Sequence, residues 1–101
     1  MELEVKITNL NKEEIIYILS EAFKRPIWNK NNVVEIYNNL LINKEAKIIN
    51  IRNIPFLISL KNLYKAIETF IGEVGKVNIY KYDLSDCDKI LQYALFGKMI
   101  Y

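Results

Sequence analysis

Few residues of this chain could carry out covalent chemistry. The sequence contains no histidine and one cysteine, Cys87. Cys-His and Ser-His-Asp catalysis both need a histidine that takes the proton from the nucleophile, so the composition excludes both. Cys87 shares the apolar side of a predicted C-terminal helix with Ile90 and Leu91, which favours a small core residue over a nucleophile.

Carboxylates are the remaining groups with catalytic or metal-binding chemistry. They occur in two groups, which are Glu13 with Glu14 and the set Asp83, Asp86 and Asp88. A hard cation such as Mg²⁺ or Ca²⁺ could bind the second group if its oxygens converged. Helix capping is the simpler interpretation, because Asp88 follows Ser85 at the spacing of a capping box. We therefore predict no metal site, no cofactor and no enzyme activity.

A basic cluster at residues 24–30 is the best candidate for a binding site outside the last helix. It combines the only tryptophan with three cations, and its members are Lys24, Arg25, Trp28 and Lys30. An indole can stack on a base while Lys and Arg bind phosphate, and Arg52 could join the same edge. The alternative is that Lys24 and Arg25 satisfy a helix end while Trp28 fills the core. If the cluster is a site, Trp28→Ala and Arg25→Glu should weaken binding more than folding.

Two further groups of side chains are candidate contact residues. Tyr80 and Tyr82 share one face of a predicted strand, which is either an ordinary half-exposed face or a platform for nucleotide bases. The last helix carries more apolar surface than a small core needs, and its candidate interface residues are Gln92, Tyr93, Phe96 and Tyr101. The end of the chain either packs into the core as a further strand or contacts a subunit or partner.

Periodicity and capping predict the elements of the N-terminal half. They are a strand over residues 2–8, a helix from Lys12 to about Lys24 or Arg25, and a helix from residue 33 to about Asn43. Strict apolar alternation indicates the strand. Asn11 with Glu14 and Asn32 with Glu35 have capping spacing, and the position before Pro26 disfavours helix.

The C-terminal half shows the same kinds of signal. Its predicted elements are a buried strand over residues 46–52, a helix over 59–72, a strand over 77–82 and a last helix that Ser85 caps and Gly97 ends. The helix over 59–72 has the clearest amphipathic spacing in the chain. Gly72 and Gly75 supply its stop, because glycine adopts the left-handed conformation without strain.

This order of elements predicts an α+β fold in which residues 1–101 form one compact domain. We expect a small three-stranded, at least partly antiparallel sheet with about four helices packed mainly on one face. The chain is 51% apolar and 26% charged, as in globular proteins, and its net charge of +2 is too small to identify a partner. One cysteine and the lack of a long apolar run predict a cytosolic protein without a membrane span.

Two stretches resemble a family of small proteins from phages and prophages of low-GC bacteria. The more specific one is the Gln-Tyr-Ala-Leu-Phe-Gly run at residues 92–97 after an acidic helix start; the other is the turn and helix at residues 7–15 with Trp28 beyond it. Lys24-Arg25-Pro26 replaces the Glu-Gly-Gly element that is usual in the family. The resemblance implies a phage accessory role in the host cytoplasm and carries no site residues.

Small phage proteins without catalytic groups commonly act by stoichiometric binding. We therefore expect a counter-defence protein of the anti-CRISPR type that binds a host defence protein or ribonucleoprotein complex. The alternatives are sequestration of a small nucleotide immune signal, through the basic cluster and the tyrosines, and direct DNA or RNA binding. Open sheet edges would also allow a homodimer.

Overall fold

A computed structural model describes residues 10–101, which form four α-helices, two short 3-10 helices and one β-hairpin. The α-helices are α1 (Lys12–Ala22), α2 (Val33–Asn43), α3 (Leu60–Val74) and α4 (Leu84–Phe96). The strands are β1 (Glu45–Ile49) and β2 (Pro55–Ser59), and the 3-10 helices are Pro26–Trp28 and Ile79–Lys81. The strand predicted over residues 2–8 lies outside the described residues. The α+β class is confirmed; a three-stranded sheet is not.

Side-chain caps fix where the helices begin. Asn11 and Glu14 form the predicted capping box of α1, and the Asn32 side chain accepts a hydrogen bond from the Glu35 backbone N–H at the start of α2. α1 ends at Ala22, slightly before the predicted end, and Arg25 is extended because it precedes Pro26. α3 ends at Gly75, which has a φ of 74°, as its C-cap.

The sheet of the described residues is a hairpin with an antiparallel register. Ala46 pairs with Ile58, and Ile48 with Phe56. The buried face carries Ala46, Ile48 and Ile58, while Leu57 is exposed on the other face. β1 matches the predicted strand but ends before residue 52. β2 has no counterpart among the predicted elements, because the sequence from Asn53 to Pro55 is typical of the boundary of a single strand.

The strand predicted over residues 77–82 is wrong. Residues Ile79–Lys81 form a 3-10 helix, and the Asn78 side chain accepts a hydrogen bond from the Tyr80 backbone N–H at its start. Ile79 and Tyr82 are the buried residues here, and their separation of three positions matches a 3-10 turn, whereas buried strand positions are two apart. Tyr80 and Tyr82 therefore do not share a face.

The start of α4 lies two residues before the predicted one. Asp83 and Asp86 form the capping box, so Ser85 is not the cap and Asp88 lies inside the helix. Gly97 ends the helix with a φ of 74°, as predicted. α4 packs against α1, α3 and β2, and this places its buried face at the centre of the hydrophobic core. In the described part of the chain, no helix combines the length and apolar character that crossing a membrane requires.

Candidate functional site

A buried carboxylate organises the region around the basic cluster. One oxygen of Asp88 accepts a hydrogen bond from Trp28 Nε1 at 2.8 Å. The other oxygen accepts from Arg25 Nη1 and from Gln92 Nε2, both at 2.9 Å. Asp88 is only 5% exposed, so these donors replace the water that the carboxylate loses on folding. The network joins the end of α1, the first 3-10 helix and α4.

The same network holds the end of the chain against the protein. Gln92 Oε1 accepts hydrogen bonds from the backbone N–H groups of Ile100 and Tyr101, each at 2.8 Å. Arg25 Nη2 donates to the Tyr101 carbonyl oxygen at 2.8 Å. The Tyr101 ring packs edge-on against Trp28 and Phe56. The end of the chain is therefore held against the protein by side-chain hydrogen bonds, but it does not enter the core as a further strand, because residues 99–101 remain exposed.

Several predicted contact residues turn out to be parts of the interior. Trp28 and Gln92 are fully buried, and the structure uses both in the Asp88 network. Phe96 is half-buried and packs edge-on against Phe56. Neither the Trp28 indole nor the Gln92 amide is open to a partner in this fold. Their roles could not be seen in the sequence, because the burial of Asp88 is a tertiary feature.

Tyr80 and Tyr82, for which the sequence leaves open an ordinary strand face or a platform for bases, lie in different environments. Tyr82 is buried, and its hydroxyl donates to the Lys76 carbonyl oxygen at 2.6 Å. Burial raises the pKa of Tyr82 to about 12, since the ionised form would lose its hydration. Tyr80 is exposed and meets the Tyr17 ring edge-on. Tyr93 is half-buried, and its hydroxyl donates a hydrogen bond to the carboxylate of Glu73 on α3.

The cations of the basic cluster divide into paired and free charges. Lys24 is paired with Glu21, and Arg25 with Asp88. Lys30 Nζ lies 3.3 Å from Asn53 Oδ1 in the turn of the hairpin, beside the exposed Arg52. The structure therefore places Arg52 at the edge of the basic cluster, a position that the sequence alone does not determine.

A groove lies between the first 3-10 helix and the turn of the hairpin. It has a volume of about 380 Å³ and is lined by Pro26, Ile27, Asn50, Ile51, Arg52, Ile54 and Tyr101. Ile51 and Ile54 remain 47% and 45% exposed although both are large and apolar. We call this surface the turn groove. Most of its lining is apolar and includes Arg52, and Lys30 contacts Asn53 in the same turn.

The side chain of Asn50 determines the shape of the turn. It is 3% exposed, and its Oδ1 accepts hydrogen bonds from the backbone N–H groups of Arg52 and Ile54. Asn53 takes the left-handed conformation that closes the turn, with a φ of 63°. The sequence signal for this site was the asparagine-containing stretch between two apolar runs, which is typical of a hairpin turn.

A second groove lies between α3 and α4 and has a volume of about 520 Å³. Its lining combines Lys65 and Lys98 with Glu73, so the charges partly compensate one another. Tyr93 and Thr69 add polar groups without a buried unpaired atom. Its lining carries charges of both signs, whereas Arg52 is the one charged side chain among the described residues that line the turn groove.

The described residues include no group of three or more Cys, Asp or Glu placed to hold a metal ion. Comparisons of the chain with protein-family models, with curated proteins and with solved structures find no match.

Cys87 should not react with thiol reagents in the folded protein. It is fully buried, and burial raises the pKa of its thiol to about 12, with nearby Glu21 and Asp86 adding to the effect. We expect a disulfide reagent at mildly alkaline pH to leave the native protein unmodified and to label one thiol after unfolding in guanidinium chloride. Val77→Cys, at an exposed position, is the control that should react at once. Rapid labelling of native wild-type protein would contradict the burial of Cys87.

Proposed function

We propose that this protein acts by stoichiometric binding to a host defence protein or ribonucleoprotein complex, as a phage counter-defence protein of the anti-CRISPR type. The observation that supports a binding role is the turn groove, where Ile51 and Ile54 are exposed next to Pro26 and Ile27. Contiguous apolar surface on a small protein marks interaction sites more often than single exposed side chains do. The phage context comes from the resemblance of residues 92–97.

Burial of Trp28 and Tyr82, two of the three aromatic candidates for base stacking, favours a protein partner over a nucleotide; the third, Tyr80, is exposed, but its ring packs edge-on against Tyr17. Base recognition in single strands and small nucleotides depends on exposed aromatic faces. Trp28 and Tyr82 have none, because both are buried. Tyr101 remains 42% exposed, but its ring packs against Trp28 and Phe56. An apolar groove with few cations suits a protein surface better than a phosphate backbone.

The proposal is tested by expressing the chain in bacteria that carry a defined CRISPR system and challenging them with a targeted phage. We expect the wild-type chain to restore plaque formation in at least one strain of a panel that covers the common effector types. Ile54→Asp should abolish this effect, because it places a charge on the apolar floor of the turn groove. Val77→Asp is the matched control: Val77 is 73% exposed and does not line the groove.

Both variants must be compared for folding by thermal melting before the phage assay. Ile54 and Val77 are exposed, so each change to Asp should shift the melting temperature by only a few degrees. The proposal fails if the wild-type chain restores plating in no strain and binds no purified effector complex of the panel. It also fails if Ile54→Asp and Val77→Asp have equal effects on plating.

A further inference from the structure

The charges around the turn groove indicate what kind of segment it binds. Among the described residues, the lining of the groove is mostly apolar and includes Arg52 but no Asp or Glu. Lys30 is not one of these lining residues, but its Nζ lies 3.3 Å from Asn53 Oδ1 in the same turn. We infer that the turn groove binds an extended segment of a partner protein in which an acidic side chain stands next to apolar side chains. This inference rests on the proposed binding function and specifies its partner chemistry.

The two cations are available to a partner. Within residues 10–101, neither Arg52 nor Lys30 forms an ion pair, and both are exposed. Arg25 adds no free charge, since Asp88 and the Tyr101 carbonyl oxygen already bind its guanidinium. Arg52 in the lining and Lys30 at the adjoining turn, both without an ion pair to residues 10–101, attract a carboxylate and disfavour a basic segment.

The groove is held in shape before any partner arrives. Asn31 Nδ2 donates to the carbonyl oxygens of Trp28 and Ile49, and its Oδ1 accepts from the Ile49 backbone N–H. These bonds tie the first 3-10 helix to the end of β1. The Asn50 bonds fix the turn that carries Ile51 and Arg52. Because this surface is already ordered, it loses little conformational entropy on binding. A short segment that makes few contacts can therefore bind to it.

A nucleic acid is a poorer match to these observations. Neutralising a phosphate backbone uses several cations along a track, whereas the groove offers Arg52 and the neighbouring Lys30 alone among the described residues. Ile51 and Ile54 contribute apolar surface that a phosphate backbone cannot use. Binding of an oligonucleotide in the groove is therefore a result that would overturn the inference.

The test selects peptides from a random library of displayed twelve-residue segments on the purified protein. Clones that also bind Ile54→Asp are discarded. We expect the remaining peptides to carry Asp or Glu beside Leu, Ile or Phe. A synthetic peptide of this class should bind wild-type protein and Val77→Asp equally and lose about tenfold in affinity to Arg52→Glu, a reversal of one rim charge. A control peptide with Lys in place of the acidic residue should bind Arg52→Glu more tightly than it binds wild-type protein.

The outcomes separate this inference from the proposed function. The inference is overturned if the selected peptides show no acidic preference, if the lysine control peptide binds wild-type protein equally well, or if an oligothymidine strand displaces the peptide. The phage assay is then repeated with Arg52→Glu. If Arg52→Glu restores plaque formation as well as the wild-type chain does, the counter-defence function is retained and the acidic partner segment is rejected. If acidic peptides bind in the turn groove but no variant changes plaque formation, the groove is a peptide-binding site and the counter-defence function is rejected.

Discussion

Replacing Asp88 by Asn should cost about 3 kcal/mol of folding free energy, the lower end of what breaking a buried ion pair costs. The carboxylate accepts three hydrogen bonds, from Trp28, Arg25 and Gln92. An amide has one oxygen, so in either orientation its NH₂ group faces a donor. We expect the lower end of this energy range because the Arg25 side chain is 32% exposed, so water can hydrate its guanidinium when the carboxylate is lost. Urea unfolding followed by circular dichroism measures the loss.

Asp86→Asn is the matched control for the same isosteric change on the same helix. Asp86 completes the capping box and contacts Lys76 at 3.1 Å, but it is partly exposed. Losing a cap and an exposed ion pair costs about 1 kcal/mol. The end of the chain should also loosen in Asp88→Asn, because Gln92 and Arg25, which hold it, both lose their carboxylate partner. Equal stability losses in the two variants would contradict the central role of Asp88.

Local signals predicted the helices of this fold well. The Asn11 capping box, the amphipathic spacing of α3 and the Gly97 cap are all present as expected. Each depends on side chains and backbone groups within one or two turns, so the sequence contains all the relevant partners. The error at the start of α4 has the same origin, because Asp83 with Asp86 and Ser85 with Asp88 have the same capping spacing. In the structure Asp83 and Asp86 form the cap, while Asp88 is bound by Trp28, Arg25 and Gln92 instead.

The candidate site could not be predicted in the same way. The turn groove joins the first 3-10 helix with a turn more than twenty residues later, and Asn31 bridges them through bonds to Ile49. Such pairings depend on the register of the hairpin, and the second strand was missing from the prediction. Within the predicted basic cluster, Trp28 and Arg25 pack toward the interior, whereas Lys30 and Arg52 remain at the surface.

Trp28→Ala should be the other strongly destabilising change, with a loss of about 3–5 kcal/mol. The indole is fully buried and packs edge-on against Phe56 and Tyr101, so its removal leaves a large cavity. It also leaves one oxygen of Asp88 without its donor. For a protein of this size, such a loss is a large part of the total stability. Circular dichroism must follow unfolding, because the variant has no tryptophan to report by fluorescence.

Trp28→Phe separates the two contributions. It retains much of the ring volume but removes the Nε1 donor, so the remaining loss should be about 1–3 kcal/mol, the cost of an unsatisfied buried acceptor. Burial of the indole reverses the expectation from the sequence that Trp28→Ala affects binding more than folding. Because the indole has no exposed surface, the folded fraction of Trp28→Phe should bind its partner as the wild-type chain does. A near-native melting temperature for Trp28→Ala together with lost binding would place Trp28 at the interface and contradict its position in the core.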